Sequence, residues 1–108
     1  MKIEISVQAM PERQILRDAL AVYGDKNQKI VAIEEMAELQ KELCKTLRLA
    51  GNYNHLAEEI ADVQIMLEQM IMLYDCRADV VRWRREKLAR LKERMSAFAQ
   101  MTETAKGG

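Results

Sequence analysis

Residues 55–74 read HLAEEIADVQIMLEQMIMLY. From Val63 onward the apolar side chains Val63, Ile65, Met66, Leu67, Met70, Ile71, Met72 and Leu73 point in nearly every direction of a helical projection. A helix that is apolar almost all round is central and packs on more than one side. The segment is also too long and too free of turn formers to be a strand. With 4 Gly and 1 Pro in 108 residues, the chain lacks the punctuation of a hairpin-rich fold. This helix therefore decides an all-α fold.

Working outward, Gly51-Asn52-Tyr53-Asn54 is the clearest loop, and Asn54 is placed to cap the helix His55–Tyr74. Before it, Asp25 and Gln28 have capping-box spacing and open a helix ending near Leu47 or Leu49. The apolar positions of that helix are Ile30, Ile33, Ala37, Cys44 and Leu47. A first helix spans Pro11–Tyr23, with Ile15, Leu16, Ala19, Leu20 and Tyr23 on one side and Gly24 as its stop. After Asp75-Cys76-Arg77, a fourth helix runs from Ala78 to Phe98. Val81, Leu88, Leu91, Met95 and Phe98 form its seam, broken by Arg84. Residues 2–8 alternate apolar and polar, so 1–10 reads as an arm that docks on another chain, and 99–108 as a frayed tail. Four helices with short connections make a four-helix bundle in one domain over 1–108. Its apolar surplus predicts a homodimer or homotetramer.

Hydrophobic residues at 49% and charged residues at 31% describe a globular chain, and 8 Met with 1 Trp and 1 Phe suit a helical core. Lys+Arg and Asp+Glu both number 17, so the net charge is zero, which argues against nucleic acid or a membrane surface as the partner. The first residues lack the apolar run of a signal peptide, and no apolar run is long enough to span a bilayer, so a cytoplasmic location is expected. Cys44 and Cys76 then read as buried thiols rather than a disulfide. His55 is the only histidine, which leaves a hard cation held by oxygens as the metal this chain could bind.

The informative residues are acidic. The second helix carries Glu34, Glu35 and Glu38, and the third carries Glu58, Glu59 and Asp62. Residues three apart share a helix face, so Glu35 with Glu38 and Glu59 with Asp62 are two carboxylate pairs. On antiparallel helices the pairs can face each other, and four converging carboxylates repel unless a cation such as Mg²⁺ or Mn²⁺ lies between them. Helix propensity and the N-terminal dipole account for many surface Glu residues. Neither accounts for Asp62, a poor helix former beyond the first turn that opens the apolar run. Glu38 lies about ten residues before the loop and Glu59 about five after it, which offsets the pairs by several ångströms at a rise of ~1.5 Å. An early helix end, a skewed crossing or a lopsided loop is needed to bring them level.

The pattern Glu34-Glu35-Met36-Ala37-Glu38, then twenty residues, then Glu59-Ile60-Ala61-Asp62, resembles the EExxE…ExxD signature of the MazG-like all-α nucleoside triphosphate pyrophosphohydrolases. It looks most like their small, single-domain, phage-type members. The similarity reaches from Tyr23 through Arg94 and is most specific over Leu56–Val63. The resemblance implies Glu35, Glu38, Glu59 and Asp62 as Mg²⁺ ligands. It also implies cleavage of an NTP or dNTP to the monophosphate and pyrophosphate, in a dimer or tetramer. Many members carry a Lys…Asn…Arg pattern in the fourth helix; here Lys87, Arg90 and Arg94 are present but no Asn is.

Lys87, Arg90 and Arg94 share a face by spacing and are the candidate phosphate-binding residues; a solvated basic face is the plain alternative. The general base is not singled out among Glu34, Glu35 and Glu38. Trp83 and Tyr53 could stack on a base, although aromatics more often pack. Gln28 could contact a nucleotide but is explained by its capping position, and His55 by an exposed first turn; Glu42 continues the Glu35–Glu38 face by one turn and could back the ligands, although an exposed role is the plainer reading. Two functions compete. One is a Mg²⁺-dependent nucleotide pyrophosphohydrolase. The other is a helical oligomerisation or regulatory module whose basic fourth helix binds nucleic acid or protein, with salt-dependent affinity.

Overall fold

The structure is a computed structural model that describes residues 11–107. The arm expected over 1–10 lies outside the described residues. Four helices are present, α1 Glu12–Tyr23, α2 Asp25–Leu47, α3 Tyr53–Tyr74 and α4 Arg77–Gly107, and no strand occurs among the described residues. The all-α expectation therefore holds. Helices α1–α3 belong to one compact unit and α4 to a second.

Local chemistry explains most boundaries. Pro11, at φ −56°, precedes α1, and its carbonyl accepts from the Gln14 and Ile15 amides. Gly24 joins α1 to α2 alone. Its φ of 87° needs a glycine, its N–H donates to the Leu20 carbonyl and its own carbonyl accepts from the Gln28 amide. That single-residue link places Asp25 inside α2, with no side-chain cap from Gly24. The expected Asp25–Gln28 capping box is thus replaced, and the Gln28 side chain turns inward.

The α2–α3 connection is lopsided. Leu49, at φ 56°, takes the left-handed position; its N–H donates to the Thr46 carbonyl, and that of Ala50 to Lys45. This is a Schellman closure with Leu where Gly usually sits. Gly51 then folds back on the end of α2, where an added Cβ would meet the Thr46 methyl at 3.0 Å. Asn52, not Asn54, caps α3, its side-chain oxygen accepting from the Asn54 and His55 amides. Only Asn52 has the extended backbone a cap requires, so α3 starts two residues earlier than expected.

Helix α3 packs against both α1 and α2, and most extensively against α2. Among the described residues, Leu16, Ala32, Val63 and Met66 are the buried apolar ones, so the central role read from residues 55–74 is what the fold shows. The facing of α2 differs from expectation. Gln28, Ala32 and Glu42 are buried and Glu35 and Leu39 half-buried, whereas Ile30, Ile33, Ala37, Cys44 and Leu47 are exposed. The inward polar residues find partners on α3, which makes their burial tolerable. The expected buried Cys44 thiol is consequently exposed, and Cys76 is half-buried.

Gln28 and Gln69 form a buried amide pair, Nε2 of Gln28 donating to Oε1 of Gln69 at 2.7 Å. Gln69→Leu should cost about 1–3 kcal/mol by stranding the Gln28 donor, while Gln28→Leu with Gln69→Leu should return close to wild type. Urea unfolding of both single variants and the double variant measures this. Equal losses in the single and double variants would deny the pair its role.

Helix α4 begins at Arg77 and continues to Gly107, through the segment expected to fray. Residues 99–106 contain no Pro or Gly, so nothing in the chain stops the helix before Gly107. Val81, Leu88, Leu91, Met95 and Phe98 are all exposed. No helix among the described residues is long and apolar enough to cross a membrane.

Candidate metal centre

Helices α2 and α3 face each other with polar residues every seven positions, Gln28, Glu35 and Glu42 on one and His55, Asp62 and Gln69 on the other. Seven residues is close to two turns, so each set stacks along one face. Numbers rise along α2 as they fall along α3, which makes the helices antiparallel: Gln28 meets Gln69, Glu35 meets Asp62, and Glu42 meets His55. The expected offset is absorbed by the fold-back of Gly51 on the end of α2.

At the middle layer, Glu35, Glu59 and Asp62 each bring a carboxylate oxygen to within 4.8 Å of the others. Glu59 is buried, and Glu35 and Asp62 are half-buried. Glu38, the fourth expected ligand, is exposed and lies outside this group, as does Glu34. The structure therefore brings together three of the four acidic positions. Of the three general-base candidates, only Glu35 belongs to the group.

Such a group is electrostatically costly. Two ionised carboxylates about 4 Å apart repel by roughly 4 kcal/mol at an effective dielectric near 20, and less where water screens them. The Glu35 carboxyl responds by moving above the usual carboxylate range. Burial is the main cause, followed by the charges of Asp62 and Glu59 and hydrogen bonding to those same groups.

Glu59 Oε2 is buried and accepts no hydrogen bond while its acidic neighbours are ionised; a protonated Glu35 carboxyl is the donor that reaches the Glu59 carboxylate. A buried carboxylate oxygen without a donor is a position that a cation would stabilise. Oxygen donors carrying several negative charges suit Mg²⁺ or Mn²⁺, so the residues present fit such an ion. Glu35, Glu59 and Asp62 are the side chains that could hold it.

No protein-family model, curated protein or solved structure matches this chain. The reading of the centre therefore rests on its geometry and on its sequence pattern.

Of the two places open to Glu42, the structure shows the inward one. It is buried beside Lys45 Nζ at 3.0 Å and His55 Nε2 at 3.5 Å. The available signal was its seven-residue spacing from Glu35, which puts both on the same face. Lys87, Arg90 and Arg94 are exposed on α4. Tyr53 is exposed, and so is Trp83, whose ring already meets its own neighbours Arg82 at 5.6 Å and Lys87 at 6.0 Å.

Proposed function

We propose that this chain is a Mg²⁺-dependent nucleotide pyrophosphohydrolase, cleaving an NTP or dNTP to the monophosphate and pyrophosphate. The observation that carries the reading is the buried Glu59 oxygen, without a donor while its acidic neighbours are ionised, within a group of three carboxylates on facing helices. The likeness of Glu34–Glu38 and Glu59–Asp62 to the MazG-like signature supports the reaction type. Glu35, Glu59 and Asp62 would hold Mg²⁺ or Mn²⁺, and Glu38, one turn from Glu35, is the fourth ligand the resemblance proposes. Bound there, the ion supplies charge to phosphoryl oxygens and lowers the pKa of water. The chain's own part is to fix the carboxylates before substrate arrives, so that little reorganisation is needed. The phosphate-binding role of Lys87, Arg90 and Arg94 is proposed on their spacing alone.

The reading is tested by incubating the full chain with the eight common NTPs and dNTPs and assaying pyrophosphate. Release from at least one of them, dependent on Mg²⁺ and abolished by a chelator, is expected. If none is cleaved while the chain binds DNA or RNA with a steep salt dependence, the helical regulatory module takes its place.

We also propose a homodimer or homotetramer. Ile33, Leu47 and Leu67 are exposed, as is the α4 seam, and large apolar areas on soluble proteins are usually covered. Light scattering at micromolar concentration should give a multiple of 12.5 kDa; a particle of 12.5 kDa would refute the assembly.

A further inference from the structure

Resting on the metal-centre reading, we infer that Glu42 and His55 are positioning residues: together they set the Glu59 carboxylate so that Oε2 is presented as the ligand atom. His55 Nε2 lies 3.5 Å from Glu42 Oε1 and 4.0 Å from Glu59 Oε1. The Nε2 edge of the ring thus lies beside Oε1 of both buried carboxylates. The other Glu59 oxygen is the one that accepts no hydrogen bond while its acidic neighbours are ionised. His55 Nδ1 is 3.7 Å from the exposed Glu58, which steadies the opposite edge of the ring. Glu42 is fixed in turn by Lys45 Nζ at 3.0 Å, and Lys45 is only partly exposed.

The sequence Lys45, Glu42, His55, Glu59 is therefore a line of contacts that crosses from the end of α2 to the carboxylate group on α3. Hairpin closure does not require it, because the Schellman turn and the Asn52 cap already satisfy both helix ends. A buried acid such as Glu42 is costly unless it is paired, and the Lys45 ammonium beside it supplies the partner. Groups that hold metal ligands from behind fix their orientation, and losing one typically weakens metal binding by about 10–100-fold.

The test follows the melting temperature of the full chain as Mg²⁺ is added, for wild type, Glu42→Gln, His55→Ala, His55→Gln and Asp62→Asn. The half-saturating Mg²⁺ concentration should rise by about tenfold or more in Glu42→Gln and His55→Ala. His55→Gln, which keeps an N–H donor, should recover most of that loss. The metal-free melting temperature is the structural control. A variant that melts lower without metal but titrates like wild type shows packing alone and overturns the inference. So does wild-type titration by His55→Ala when Asp62→Asn has lost its response; in that case the metal centre stands and the positioning role falls. A wild type that ignores Mg²⁺ removes the metal centre and this inference together. If Glu42→Gln does not fold, His55→Ala at the exposed rim decides the matter.

Discussion

Asp62→Asn is expected to eliminate pyrophosphate release, a fall of at least about 10²–10³-fold, the order lost when one preorganised electrostatic group is removed. The side chain keeps its shape and loses its charge. Wild-type protein should gain about 2.7 kcal/mol of stability at a Mg²⁺ concentration a hundred times the Kd, because the ion binds only the folded state. Asp62→Asn should lose most of that gain. Without metal the variant should be as stable as wild type or more so, since one of the charges repelling Glu35 is gone. The pH dependence follows from the same contact. The folded Glu35 carboxyl titrates above its ordinary value of 4.5, so just above that pH the native state holds more protons than the unfolded chain. Stability of the metal-free protein therefore contains a Glu35 contribution that is lost as pH rises through this window. The loss should shrink in Asp62→Asn but not vanish, because burial is the larger cause of the shift. Pyrophosphate assays and thermal melts across pH read these effects. Wild-type turnover by Asp62→Asn would end the enzymatic reading.

Met66→Ala should destabilise the α1–α3 unit by about 2–5 kcal/mol, the usual cost of truncating a buried Met. Met66 is 6% exposed and belongs to a core with three other buried apolar residues among the described residues, Leu16, Ala32 and Val63. For a small domain of roughly 5–15 kcal/mol total stability, that is a large share. Urea unfolding should show a lower midpoint with an unchanged slope. A loss below about 0.5 kcal/mol, the range of surface substitutions, would mean that Met66 is not a core residue.

The facing of α2 is where local pattern and structure part. Ile30, Ile33, Ala37, Cys44 and Leu47 form a good apolar stripe, and Gln28, Glu35 and Glu42 a polar one. Periodicity alone assigns the first stripe to the core. The intrachain partner, however, is α3, and it offers Gln69, Asp62 and His55 at matching seven-residue intervals. Which stripe turns inward depends on what it meets, and a single helix carries no information about its neighbour. For this one reason Cys44 lies outside and Glu42 inside.

Local chemistry was enough for the four helices, the Gly24 junction, the central role of residues 55–74 and the acidic positions Glu35, Glu59 and Asp62, because helical period, Pro and Gly act over a few residues. Even the acidic alignment was nearly legible, needing only a lopsided connection. The left-handed Leu49 and the fold-back of Gly51 supply it, and nothing in residues 48–52 announces which residue will take the positive φ. Tertiary packing decided the rest. It set the register that levels Glu35 with Asp62, left Glu38 outside the group, buried Glu42 against His55, and stranded one oxygen of Glu59. Those outcomes depend on distances between residues remote in the chain, and such distances exist only once α2 and α3 have packed.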